Sequence, residues 1–430
     1  MMTASAYRPV ILQVLPSLDA GGVERGALEM VEAIAQAGGR ALVASAEGRL
    51  VPRVEYLGGR HISLRLGDKS PLGILRNARR LKALIAAEGV TLVHARSRAP
   101  AWAARLACRS TKTHFVTTWH GVHHEKFPGK KTYNSVLASG ERVIAISDYI
   151  AQRLSRDYGV GPDRLRVIPR GADTRHFNPA LVRGDRIQNL AEAWNVAADQ
   201  AVILMPGRLT EWKGQALTLD ALAIMARENW TDRNWVCVFV GDGARDNAFA
   251  ERLGAKAASL DLTNRVRFGG HCSDMAAALA LAEVAVVPSL RPEPFGRVVV
   301  EAQAMARPVI VAAHGAAMET VTHGETGLLF PPGDARAFAE MLAGALSATP
   351  EQRAAMGEHA RQNVLAHYTT ETMQRATLAV YDEILRSQFV ETWDATLSGD
   401  AGNHTNIGVD ARENVATPAF TTQIVPGQVY

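Results

Sequence analysis

Short apolar runs recur along this chain in two series, each run followed by a stretch long enough for a helix. In the first half they fall at residues 10–15, 41–44, 91–94, 115–118 and 143–146, and in the second at 202–205, 235–240, 266–268, 284–287 and 309–312. Apolar runs alternating with helical stretches are the sequence form of a doubly wound parallel sheet. Two series imply two such α/β domains, and 430 residues are long for one core and suit two of about 150 to 200 residues each. The join is expected between 171 and 200, a stretch with Pro179, Gly184 and few β-branched residues. The expected domains are therefore 1–185 and 186–370, followed by an amphipathic helix at 371–387. From Gln388 to residue 430 the chain is rich in Gly, Thr, Asn and Asp without a sustained period, and a poorly ordered tail is expected.

Composition narrows the class. A hydrophobic share of 47% with mean hydropathy of −0.04 describes an ordinary globular chain. No run of about 18 apolar residues is present to span a bilayer. The first nine residues lack the apolar centre of a secretory signal, so a cytoplasmic location is expected. Cys108, Cys237 and Cys272 are far apart and form no CxxC pair, which reads as reduced, buried thiols. The net charge of +4 conceals an asymmetry: residues 1–170 carry +13, residues 171–387 carry −5 and residues 388–430 carry −4. A basic first half attracts anionic membrane, acidic substrates or nucleic acid. No nucleic-acid motif accompanies it, so an anionic membrane face or an anionic lipid-linked acceptor is preferred.

Three segments carry chemistry. Residues 290–303 read LRPEPFGRVVVEAQ after the apolar run 284–287. Pro294, Phe295 and Gly296 stand where a helix would start, and the unpaired N–H groups of such a start bind phosphorylated ligands at the carboxyl edge of an α/β sheet. Glu293 stands at that mouth and Glu301 about two turns into the helix, which on a continuous helix separates them by about 12 Å. That spacing suits contacts to different parts of one long ligand rather than the paired carboxylates of a glycosidase. Upstream, Gly207 to Gly214 reads GRLTEWKG directly after another apolar run. It sets Arg208 and Lys213 between two glycines, where backbone can approach a diphosphate while two cations neutralise it. Near the N-terminus, Gly21 and Gly22 follow the first strand and permit a tight turn into a helix with close approach of a ligand.

With these segments go Thr118-Trp119-His120-Gly121, Val167 to Asp173 (VIPRGAD), Phe239 to Gly243 (FVGDG), Val266 to Gly270 (VRFGG) and Glu325 to Leu329 (ETGLL). In order and spacing, over most of residues 8–387, the chain resembles the retaining glycosyltransferases of the GT-B fold, family 4, of the lipopolysaccharide and glycolipid type. The resemblance implies two Rossmann-like doubly wound domains facing across a cleft, acceptor on the first and nucleotide sugar on the second. It implies that the helix at 371–387 crosses back to the first domain. A catalytic group of Glu293, His120, Arg208 and Lys213 follows from it, and a nucleotide-binding group of Gly21, Gly22, Arg208, Lys213, Phe268, Pro294, Phe295, Gly296, Arg297, Val298 and Glu301. Glu301 would hold the ribose hydroxyls, Glu293 and His120 would lie by the sugar, and attack would be front-face. No cofactor and no metal is implied. The partners would be a nucleotide-sugar donor, a lipid-linked or polysaccharide acceptor such as lipopolysaccharide core, and the inner face of the cytoplasmic membrane. The family usually carries Asn where this chain has Arg170.

Two further features have competing readings. Residues 72–87 place Arg76, Arg79, Arg80 and Lys82 among leucines and isoleucines, either a basic amphipathic helix for anionic headgroups or a packed surface helix. His120, His123, His124 and Glu125 match no metal-ligand spacing. An epimerase of sugar nucleotides on the same fold, or an inactive nucleotide-binding scaffold, are the alternatives to transfer.

Overall fold

The computed structural model describes residues 8–19, 21–122, 128–241 and 247–401. They form two compact units: one runs to Asp173 and also takes in Pro292–Arg297 and the chain from His367, the other is Thr174–Arg291 with Val298–Ala366.

The first unit holds β1 (Val10–Ser17), β2 (Arg40–Ala46), β3 (Arg60–Ser63), β4 (Leu92–Ala95), β5 (His114–Trp119), β6 (Arg142–Ala145) and β7 (Leu165–Val167). They make a 7-stranded sheet in the order β3-β2-β1-β4-β5-β6-β7. All pairs are parallel, with Leu12 of β1 opposite both Leu42 and Val93. Helices cover both faces, which is why β4 is buried throughout and β1 is buried on six successive residues, Val10 to Leu15, rather than on alternate ones.

The second unit repeats the scheme with β8 (Ala201–Pro206), β9 (Trp235–Val240), β10 (Val266–Gly270), β11 (Val284–Val287), β12 (Val309–Ala312) and β13 (Leu328–Phe330). Its 6-stranded parallel sheet has the order β10-β9-β8-β11-β12-β13. In each sheet the order reverses once, between β1 and β4 and between β8 and β11. The carboxyl edge of the sheet at such a reversal is the usual place for a ligand in folds of this kind.

In the first unit the helix Thr370–Leu385 is capped by the Thr369 hydroxyl, which accepts from Thr372 N. It buries Met373, Thr377, Leu378 and Tyr381 against the first helix, Gly22–Gln36. A tail was expected from Gln388, but residues Phe389–Ala401 form another helix. Its start is fixed from a distance: the Asp382 carboxylate accepts from Phe389 N at 2.8 Å and Val390 N at 2.9 Å. Phe389 and Trp393, each 2% exposed, then join the same core. The remainder of the expected tail, 402–430, lies outside the described residues.

Candidate functional site

In the second unit, the loops after β8 and β11 meet. Gly214 makes this possible: its φ is +86° and a Cβ there would lie 2.1 Å from Pro288 O, closer than any side chain tolerates. The contact is sealed by Leu290 N–H donating to Trp212 O at 2.7 Å. His314 Nε2 donates to Ser289 O at 2.7 Å and holds the second loop from the far side. Gly207, at φ +149°, holds a backbone conformation that side chains rarely adopt, and the stem of Lys213 packs beside it, Cδ 3.7 Å from where a Cβ would be. The Lys213 ammonium sits 4.5 Å from the Trp212 ring centroid, a cation–π contact. Arg208 is exposed on the same loop. The two cations are thus brought to the β8–β11 switch point, one steered by a ring and the other in solvent. Phe268 is not: it stands on the edge strand β10, two strands from β8, 43% exposed and edge-on to Phe239.

The segment 290–303 needs one correction. Its helix is Arg297–Ala304, so Glu301 is the fifth helical residue, one turn in rather than two. Gly296, at φ +82°, ends the turn that consumes Glu293 to Phe295. A continuous-helix separation of about 12 Å therefore does not describe this carboxylate pair. Glu301 is 8% exposed, while Glu293 and Val298 are half-buried. Pro292–Arg297 group with the first unit. There Ser147 Oγ donates to Pro294 O at 2.7 Å, and the buried Phe295 ring lies 6.0 Å from that of Tyr368.

Arg297 leads to a group of residues that sequence reading did not assemble. Its Nη1 donates to Glu29 Oε1 at 3.0 Å, and Arg170 Nη2 donates to Glu29 Oε2 at 2.7 Å and to Gly22 O at 3.2 Å. Arg170 is 4% exposed. Its guanidinium lies flat against the first helix at Gly26, where a Cβ would stand 1.9 Å from Nη1. Burial pulls the Arg170 pKa down to about 10, opposed by Glu29. Burial pushes the Glu29 carboxyl up, but Arg170, Arg297 and Arg96 together outweigh it and hold it below its ordinary value. Arg170, the residue that departs from the pattern the chain resembles, is therefore part of a buried ion cluster. The only signal in the sequence was that departure.

Gly21 and Gly22 begin the first helix, Gly21 with φ +145°. The Glu24 carboxylate folds back over Gly21, 2.5 Å from where its Cβ would be. Half-burial raises the Glu24 pKa. A helix start expected to be open to a ligand is thus occupied by the chain's own carboxylate.

His120 follows β5 and lines a cavity of about 500 Å³ in the first unit, with Lys69, Arg96, Ser97, Arg98 and Tyr133. Arg96 follows β4 and is 4% exposed; its Nε donates to Gln13 Oε1 at 2.8 Å. Arg98 Nη1 donates to Asn134 Oδ1 at 2.9 Å. His123, His124 and Glu125, which stand near His120 in sequence, lie outside the described residues. The basic segment at 72–87 lies within the helix Pro71–Glu88, started by the Ser70 cap. Gly73, Asn77, Ala78, Leu81 and Ile85 are buried, whereas Arg76, Arg79, Arg80 and Lys82 are exposed. Cys108 and Cys237 are buried free thiols and Cys272 is half-buried. Among the described residues no helix is long and apolar enough to cross a membrane.

Two Rossmann-like parallel sheets, each with functional groups at its switch point, define a GT-B glycosyltransferase scaffold. The sequence matches accordingly: residues 20–176 match the model "Glycosyltransferase Family 4" and residues 187–363 match "Glycosyl transferases group 1". A crystal structure of a glycosyltransferase from Rickettsia africae ESF-5 is 34% identical, covering 89% of this chain and all of that one with a TM-score of 0.82. The chain belongs to the GT-B glycosyltransferases. D-inositol 3-phosphate glycosyltransferase 1 of Catenulispora acidiphila is 29% identical over 84% of this chain and 91% of its own length. D-inositol 3-phosphate glycosyltransferase 2 of the same organism is 33% identical over 58% of this chain, which spans only 57% of that relative.

Proposed function

We propose that the protein is a retaining glycosyltransferase that moves a sugar from a nucleotide donor to a lipid-linked or polysaccharide acceptor, without a metal. The observation that carries this reading is the closed contact between the loops after β8 and β11, Leu290 N–H to Trp212 O at 2.7 Å, which brings Arg208 and Lys213 to one switch point. Cleaving the sugar–phosphate bond places negative charge on the leaving diphosphate, and cations fixed where that charge develops lower the barrier. Glu301 is assigned to the ribose hydroxyls, and Glu293 and His120 to the reacting sugar. A phosphate oxygen of the leaving group takes the acceptor proton on the same face, so the anomeric configuration is kept.

The membrane side of the reading rests on the helix Pro71–Glu88. Leu72 and Leu75 are 75% and 49% exposed among Arg76, Arg79 and Arg80, an apolar wedge within a cationic collar. Such a face suits an anionic bilayer, with about 1 kcal/mol per basic residue near the surface.

The test is a thermal-shift titration of the full chain with UDP, GDP and ADP. One base should stabilise the protein by about 2.7 kcal/mol at 100 times its dissociation constant, and Glu301→Gln should abolish the shift. No response to any of the three sinks the proposal. The anomeric configuration of the product, read by NMR, tests retention separately.

A further inference from the structure

In the second unit β11 lies between β8 and β12, so the loop after β11 is the middle one of three. Its residues Pro288, Ser289 and Leu290 are pinned from both flanks. On the β8 side, Gly214 makes its close approach to Pro288 O and Leu290 N–H donates to Trp212 O at 2.7 Å. On the β12 side stands the imidazole of His314, whose Nε2 donates to Ser289 O at 2.7 Å. The backbone that delivers this ring is itself fixed, since Ala313 N–H donates to Phe330 O and His314 N–H to Ala312 O, both at 2.8 Å. Ser289 is 2% exposed, and a buried carbonyl that loses its donor is costly.

Ser289 O and Leu290 N are the two ends of a single planar peptide group. His314 therefore grips one end of the plane whose other end holds Trp212. The same relation recurs one step on, because Trp212 O and Lys213 N also belong to one peptide, and Lys213 N–H donates to Thr210 O at 2.9 Å. The result is a file of three hydrogen bonds running through two peptide planes, from an imidazole after β12 into the loop after β8. Bonds in such a file polarise and align one another. It ends at the residue whose ammonium lies 4.5 Å from the Trp212 ring centroid. A carbonyl accepts from Nε2–H, which is present in the imidazolium and in the neutral Nε2 tautomer alike, so the strut does not depend on the charge of the ring.

We infer that His314 is a positioning residue for the diphosphate cations: by fixing the tilt of the Ser289–Leu290 peptide it fixes the Trp212–Lys213 peptide and, with it, the Lys213 ammonium. What the ammonium does rests on the glycosyl-transfer reading of this switch point, whereas how it is held rests on geometry alone. Without the imidazole the first plane is gripped at one end and can rotate, which loosens the bond from Leu290 to Trp212. The ammonium then spreads over more positions, and a misplacement of about 1 Å can cost on the order of 100-fold where charges must meet. His314 acts through Lys213 and has no need to touch the ligand.

The experiment uses the full chain with inorganic pyrophosphate as probe, by titration calorimetry, together with a readout that needs no ligand. When the lysines carry isotope-labelled methyl groups added by reductive methylation, the Lys213 methyl signal should be displaced by the Trp212 ring current, and its absence in Lys213→Ala assigns it. His314→Ala should weaken pyrophosphate about tenfold and move the Lys213 signal toward that of an exposed lysine. His314→Gln keeps an N–H near the position of Nε2 and should restore affinity to within about twofold of the parent, whereas the shorter His314→Asn should behave as His314→Ala. In the Lys213→Ala background, His314→Ala should weaken pyrophosphate further by less than about twofold, because both substitutions act through one group. A mere loss of packing would lower affinity equally in both backgrounds and would not separate Gln from Asn. Losses that multiply in the double variant, or parent-like affinity with a parent-like Lys213 signal in His314→Ala, overturn the inference. If His314→Ala does not fold, the comparison of His314→Gln with His314→Asn decides it. Pyrophosphate that fails to bind, or binds equally to the parent and Lys213→Ala, while the Lys213 signal still follows His314, removes the diphosphate reading and leaves the strut. Binding lost in Lys213→Ala but indifferent to His314 removes the strut alone.

Discussion

The two sheets are built from the same alternation of strand and helix but keep their charges in opposite places. In the first unit Arg96 and Arg170 are each 4% exposed, and His94 and Gln13 are fully buried. In the second, the buried polar side chains among the described residues are neutral, such as Gln215, Thr218 and Gln303, except for Glu301. Its cations Arg208 and Lys213 stand on a surface loop. A charge locked in a core is positioned by its neighbours and contributes to folding, whereas a charge on a loop contributes only when a ligand arrives. Substitutions should accordingly be read out as stability in the first unit and as turnover in the second.

The largest test of that contrast is Glu29→Gln, which leaves Arg170 and Arg297 without their carboxylate. Removing one member of a buried ion pair costs about 3 to 5 kcal/mol, so the denaturant midpoint should fall sharply. The pH dependence has a definite sign. Because the Glu29 carboxyl is held below its ordinary 4.5, its contribution is present above that pH and is lost as the pH falls through the lowered value. The acid limb below pH 4.5 should be shallower in Glu29→Gln than in the parent chain. A midpoint unchanged within error removes the cluster from the account of stability.

In the second unit, Arg208→Ala and Lys213→Ala should each lower turnover 100- to 1000-fold, about 2.7 to 4 kcal/mol in the transition state. Their unfolding midpoints should stay put. Near-normal turnover in both, or a large drop in midpoint, breaks the comparison from the other side.

Ser147→Ala is a smaller test. The hydroxyl donates to Pro294 O at 2.7 Å and caps its own helix by accepting from Ile150 N at 3.2 Å. Losing both should cost about 1 to 2 kcal/mol, seen in urea unfolding.

The smallest effect belongs to His94, bonded to Tyr381 OH at 2.7 Å and to Thr118 Oγ1 at 2.6 Å. Burial, helped by the Arg96 guanidinium, holds its pKa well below 6.5. The folded chain then binds fewer protons than the unfolded chain, so stability falls as the pH drops below 6.5. The slope is at most about 1.4 kcal/mol per pH unit. His94→Gln should flatten the urea midpoint between pH 6.5 and 5.5, and equal slopes in the two chains would assign the titration elsewhere.

How much of this was legible beforehand follows from where each residue gets its partners. The central strands announce themselves because burial on both faces makes them apolar on nearly every residue, as in Val284–Val287. Three strands escaped, β3, β7 and β13, and all three are sheet edges of three or four residues. An edge strand pairs on one side only, and RHIS or LRV carries no apolar run to mark it. The helix Phe389–Ala401 escaped because its cap is Asp382, a residue of the preceding helix. Within the candidate site, Arg208 and Lys213 were legible because glycines frame them locally. Glu29 and Arg96 were not, and Arg297, named for the nucleotide, gave no sign of its carboxylate partner, since 268 residues separate Glu29 from Arg297 and nothing around either one signals the other.

Gly26 and Arg170 have a consequence for the order in which this chain can change. Since a methyl at position 26 would stand 1.9 Å from the Arg170 guanidinium, Gly26→Ala should be harmful in this background. After Arg170→Asn the space is vacated, and the same methyl becomes a filler for the gap and a better helix residue than glycine by about 1 kcal/mol. The sign of one substitution thus depends on whether the other has been made, a case of sign epistasis. A double-mutant cycle on unfolding free energy should give a coupling well outside additivity. A lineage carrying Arg at 170 therefore passes through glycine at 26 first, and once the arginine is seated, the way back through alanine is closed.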